Sequence, residues 1–196
     1  MPINIHAVHG DIVEVGANVA DMSAPWLCDG FNTYKEIWKK MRARYSGLPL
    51  PAGPLLEKPW RSKFDRLLPI APPYNRLNPY DRLKYLYIFT NPNGAKRCDT
   101  PHSLHKMIGR CFRKAGRIGA KSVALINIPV AGYEDKVAAM FMIDGIRKWD
   151  AKHRDQLTDV YLVDLTGSFS KLFYDLVAAA PYPPRRKRDE PEPPMP

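Results

Sequence analysis

Apolar and polar positions alternate between two periods along the chain. Short apolar runs rich in β-formers predict strands over residues 3–8 and 12–15, broken at Gly10, with a third near 17–22. The run LKYLYIFT predicts a strand over 83–90, ending at the turn signal Asn91-Pro92-Asn93-Gly94. Leu104, Ile108, Cys111, Phe112 and Ala115 recur at helical spacing and predict a helix over 101–117. SVALINIP over 122–129 and DVYLVDL over 159–165 are near-continuous apolar runs, as in strands covered on both faces. Helices are predicted over 134–148 and 168–179, the second with Phe169, Leu172, Phe173, Leu176, Val177 and Ala180 on one face. A further basic helix is predicted over 34–44. From residue 83 onward the order is strand, helix, strand, helix, strand, helix. That is the pattern of βαβ units on a parallel or mixed sheet.

Proline punctuates this pattern twice. Residues 46–80 carry eight prolines, which exclude a long helix or an inner strand and predict an extended surface excursion. Residues 181–196 carry seven more, with almost no apolar content after Tyr182, and predict a disordered tail. The expected organisation is one domain over 1–180, with a Pro-rich insert at 46–80, followed by a tail over 181–196.

The chain has 196 residues, a hydrophobic fraction of 45% and a formal net charge of +10. That length can bury a sizeable core. No apolar run approaches the ~18 residues of a membrane span. The start, MPINIHAVHG, carries neither a charged nor an apolar leader region, so the expected setting is cytoplasmic. Three cysteines (Cys28, Cys98 and Cys111) fit neither a disulfide framework nor a zinc pattern. The excess positive charge favours anionic partners, nucleic acid among them. It concentrates on the 101–117 helix, where Lys106, Arg110, Arg113, Lys114 and Arg117 oppose the apolar stripe, and on Lys35, Lys39, Lys40, Arg42 and Arg44.

In open α/β sheets, ligands bind beyond the carboxyl ends of the strands. The loops to watch are therefore 91–102, 129–134, 165–169 and the segment near 22–33. Residues 129–134, Pro-Val-Ala-Gly-Tyr-Glu, place small residues before a helix start, where backbone N–H groups can cradle a phosphate. No G-x-G-x-x-G, Walker A or G-x-S-x-G motif is present. His102 and His105 stand at i, i+3 with no matching third ligand, so neither a metal nor a cofactor is expected. Cys28 beside Asp29 has no assignable base.

Taken in order, these segments resemble a macro domain over roughly 3–28 and 83–179. His9-Gly10-Asp11-Ile12-Val13 is similar to the G-D-I-T signature after that family's first strand. The resemblance implies that Asp11 accepts a hydrogen bond from the adenine amino group and that the backbone amide of Ile12 assists. Ser122-Val123-Ala124-Leu125 is similar to the S-I-A strand, which sets Val130, Ala131, Gly132 and Tyr133 in the family's second phosphate-binding loop. Gly30 and Phe31 stand near its first diphosphate loop, and Phe169 is the aromatic nearest the adenine position. The resemblance implies a three-layer α/β/α fold with a mixed, mostly parallel central sheet.

Three features depart from the family: its triple glycine becomes Cys28-Asp29-Gly30-Phe31, with one Gly, the Pro-rich 46–80 segment exceeds the minimal fold, and the asparagine motif is altered. Counting from Asp11, the V-N-A-A-N of family hydrolases falls on Asp21-Met22-Ser23-Ala24-Pro25, so Met22 and Pro25 stand where the asparagines would. The expected function is recognition of ADP-ribose or a related adenine nucleotide without efficient hydrolysis. One alternative is an ADP-ribosyl hydrolase with relocated chemistry, using Asp21, Asp29 or Glu134 to activate water. A second is a nucleic-acid-associated protein that uses the basic helical face. No membrane partner is expected.

Overall fold

In the computed structural model, the described residues are 2–12, 14–21, 64–69, 85–90, 100–128, 130, 132–153, 156–164, 167 and 170–179. The strands are β1 (Asn4–His9), β2 (Val19–Asp21), β3 (Phe64–Pro69), β4 (Tyr85–Thr90), β5 (Ser122–Ile126) and β6 (Asp159–Asp164). The helices are α1 (Pro101–Arg117), α2 (Asp135–Lys152) and α3 (Ser170–Ala179). The six strands form one sheet in the order β1-β6-β5-β2-β4-β3, parallel throughout except for the antiparallel edge pair β3–β4.

The chain passes from β4 through α1 to β5, then through α2 to β6, each time stepping the same way across the sheet. Two right-handed crossovers in one direction put both helices on one face. Their contacts agree: α1 packs on α2, and α2 on α3. Register stacks the core in layers. Val19, Val123 and Val160 lie side by side, as do Leu125 and Leu162 two residues on, and all are buried under the helices. Ala20, Ala124 and Val163 point to the opposite face and are buried as well. The middle of the sheet is therefore covered on both sides, as a three-layer fold requires.

The local signals explain the helices. Thr100 caps α1 in a reciprocal capping box with Ser103, and Pro101 occupies the first turn, where its absent N–H costs nothing. The apolar stripe buries Leu104, Ile108, Cys111, Phe112 and Ala115. Gly145 lets α2 approach α1, since a Cβ there would stand 2.8 Å from the His105 ring.

Several boundaries differ from the sequence expectation. The strand expected over 12–15 is not found at its described residues: Ile12 and Glu14 are in a turn, closed by the Glu14 N–H on the Asp11 carbonyl at 2.9 Å. The chain leaves the carboxyl end of β1 and must return to the amino end of β2 within residues 10–18, so Ile12 and Ala17 are buried on the way down. The 46–80 stretch does contain a strand, β3. It lies at the sheet edge, with Pro69 at its last paired position, where a missing N–H is tolerated. β5 stops at Ile126, short of Pro129. α2 runs to Lys152, because Ile146, Trp149 and Asp150 continue its buried face. The helix expected over 34–44 and the tail over 181–196 lie outside the described residues.

Candidate ligand site

The carboxyl ends of β1, β6 and β5 lie side by side. β1 ends at His9, and the Gly10 N–H then donates to the Asp164 carbonyl at the end of β6 (3.0 Å). This bond carries the β1–β6 pairing one residue past the strand and fixes the start of the next segment. Asp11 and Ile12 follow and are both buried. Asp164 is buried at the same edge. Gly167 has φ +79°, and a Cβ there would lie 3.3 Å from the His9 ring. A side chain at 167 would thus meet both backbone strain and the imidazole.

Beyond β5 the chain makes a turn in which the Tyr133 N–H donates to the Val130 carbonyl (3.1 Å). Gly132, third in this turn, has φ +78°, the left-handed conformation such a position demands. Val130 is buried, while Tyr133 is exposed and meets Phe141 edge to face at 5.1 Å. Glu134 then starts α2 without any side-chain cap on its N–H groups. A glycine turn running into an uncapped helix start presents backbone donors to an anion. The exposed side chains of Glu134, Asp135 and Lys136 flank it.

The structure thus brings Asp11, Ile12, Val130, Gly132, Tyr133 and Glu134 to the same sheet edge. Asp21 ends β2 at this edge too. Asp29, Gly30, Phe31, Ala131 and Phe169 lie outside the described residues, as does Cys28. His105 is not poised for a metal: its Nε2 donates to the Phe141 carbonyl (3.0 Å) and lies 3.4 Å from Asp144. Among the described residues no three potential ligands cluster.

Two polar residues at this edge escaped the sequence reading. Asn127, just past β5, has a buried side-chain Oδ1 without a hydrogen-bond partner. Asp164 closes β6. Each interrupts an apolar run near its carboxyl end, and a lone polar residue there is the signal that marks them.

No protein-family model matches the chain, and no characterised protein matches it in sequence. Solved structures do. A Trypanosoma brucei macrodomain in complex with ADP aligns over 90% of this chain and 69% of its own, at 14% identity and a TM-score of 0.58. The Trypanosoma brucei macrodomain in complex with ADP-ribose aligns over 89% and 68%, at 16% identity and 0.54. The macro domain of ganglioside induced differentiation associated protein 2 aligns over 94% and 85%, at 16% identity and 0.53. At these identities the likeness is one of fold.

Proposed function

From the premise that this chain has the macro-domain fold, we propose that it binds ADP-ribose or a closely related adenine nucleotide at the carboxyl edge of the sheet. The observation that carries this reading is that buried Asp11, just past β1, and the glycine turn and uncapped start of α2 beyond β5 stand at the same carboxyl edge, with β6 between them. The first offers a carboxylate to an adenine amino group. The second offers backbone N–H groups to a diphosphate. Two structures of similar fold hold ADP and ADP-ribose.

Binding proceeds without efficient hydrolysis in this proposal. Counted from Asp11 without gaps, Met22 and Pro25 stand where family hydrolases carry asparagines, and their side chains offer no hydrogen-bonding amide to a water or a ribose hydroxyl. Release of ADP-ribose from modified protein should stay at the buffer level. Turnover above it, lost on substituting Asp21, Asp29 or Glu134, would favour the hydrolase reading.

The test of binding is a thermal-shift screen across ADP-ribose, its phosphorylated and cyclic forms, ADP, AMP and non-adenine nucleotides. A ligand at 100 times its Kd stabilises by about 2.7 kcal/mol through mass action. ADP-ribose or an adenine relative should give the largest rise in Tm. A rise confined to non-adenine nucleotides would overturn the assignment.

A further inference from the structure

The helical face of the protein carries a second concavity, lined by none of the residues described for the ligand site above except His105. A groove of about 550 Å³ runs between α1 and α2. Lys106, Arg110 and Arg113 line it from α1, and Lys148 and Lys152 from α2. His102, His105 and His153 add three imidazoles. Among the described residues no carboxylate lines it. Asp144, next to Gly145, reaches the rim, where its Oδ2 lies 2.7 Å from Lys148 Nζ. Both side chains are largely exposed, so this pair barely offsets the field.

Geometry makes the charge a track. α1 and α2 run the same way, because each joins parallel strands in succession. The lining positions recur at three- and four-residue steps on both helices, so each helix contributes one stripe. The α1 stripe from His102 to Arg113 spans about 16 Å at ~1.5 Å per residue. Two glycines, Gly109 and Gly145, form part of the groove wall. Trp149 is 6% exposed, stacks on His153 at 4.6 Å, and has a buried Nε1–H without an acceptor.

We propose that this groove is a docking track for single-stranded nucleic acid. The two rows of cations match a run of consecutive phosphates. Packed helices stand ~8–10 Å apart, so the trough admits one strand, whereas a duplex can touch only its rims. The exposed His102 imidazole offers a flat face to an unstacked base, whereas His105 packs against Gly145 and His153 against Trp149. The proposal is independent of nucleotide recognition at the carboxyl edge.

The test is fluorescence anisotropy with a labelled 12-nucleotide RNA of mixed sequence, titrated with the full chain between 50 and 200 mM salt. Lys106→Glu/Lys152→Glu reverses two exposed groove cations. Lys121→Glu/Lys171→Glu makes the same change in net charge elsewhere, also at exposed positions. The groove variant should lose tenfold or more in affinity at 50 mM salt. Its salt slope should become shallower by about 1.4, since each lost single-strand phosphate contact removes ~0.7. The control variant should lose less than threefold, and both should keep the wild-type circular dichroism and thermal response to ADP-ribose. Equal losses in the two variants would overturn the proposal. So would tighter binding of a duplex, or equally effective competition by polyglutamate or inorganic polyphosphate at matched charge.

Discussion

At the amino edge of the sheet, side chains close the backbone. Asn18 Oδ1 accepts from the Lys121 N–H (2.9 Å), and Ser122 Oγ accepts from the Asn18 N–H (2.9 Å). Thr158 donates through its hydroxyl to the Lys121 carbonyl and to Asp159. Asp150, on α2, reaches across to accept the Ile3 N–H at 3.2 Å. At the carboxyl edge the same sheet offers a glycine turn at Gly132, an uncapped helix start and a buried Asn127 Oδ1 without a partner. One edge spends its polar groups on the fold. The other leaves the first N–H groups of α2 without a side-chain cap, which stability alone would not favour.

Substitutions at the two edges should therefore separate stability from binding. The largest loss of stability is expected for Asp150→Ala. It deletes a buried carboxylate that pairs a backbone N–H between α2 and the start of β1. The cost should be about 1.5–3 kcal/mol by urea denaturation. ADP-ribose affinity of the folded fraction should stay at the wild-type value. A matching loss of affinity would show that the two edges are coupled.

Gly132→Ala should follow. A Cβ there meets no atom within 4 Å, so the cost is the left-handed backbone alone, about 1–2 kcal/mol. Because the strained residue is in the turn before α2, the same variant should also bind ADP-ribose more weakly by calorimetry. Unchanged affinity would detach that turn from the diphosphate.

The smallest effect belongs to Asp159→Asn. Partial burial works to raise the Asp159 carboxyl, but hydrogen bonds from His6, Thr158 and Asn4, with the charge of His6, outweigh it and hold the group below its ordinary value. A lowered native pKa gives stability that is present above the unfolded value and is lost as pH falls through the native one. The Asn variant should be less stable than wild type at neutral pH, by under about 1 kcal/mol for so exposed a pair. That gap should close below about pH 4. A gap that persists at lower pH would mean the effect is packing rather than charge.

The sequence made some of this legible and hid the rest for physical reasons. α1 was readable to the residue, because its stripe, its Thr100 cap and Pro101 all act locally. The place of Asp11 just past β1 was legible because its short motif directly follows the strand. The turn at 12–15 was misread as a strand: its apolar residues satisfy a tertiary need, the descent from β1 to β2, that local pattern does not encode. Asn127 and Asp164 fell inside the apolar runs read as strands over 122–129 and 159–165, and only the sheet order brings them to the edge that also holds Asp11. The basic groove was half visible. The α1 cations form an evident stripe, but its second wall on α2 depends on which helix packs against which, and on Gly145 letting them meet.

The central claim is that the carboxyl edge, through Asp11, reads an adenine. Calorimetric titration of ADP-ribose into folded wild type and Asp11→Ala tests it most directly. A hydrogen bond to a charged acceptor is worth about 1.5–3 kcal/mol, so the variant should bind roughly 10- to 150-fold more weakly. Equal affinity in the two proteins, even with reduced stability in the variant, would contradict the account and leave Asp11 as a residue that only shapes the turn after β1.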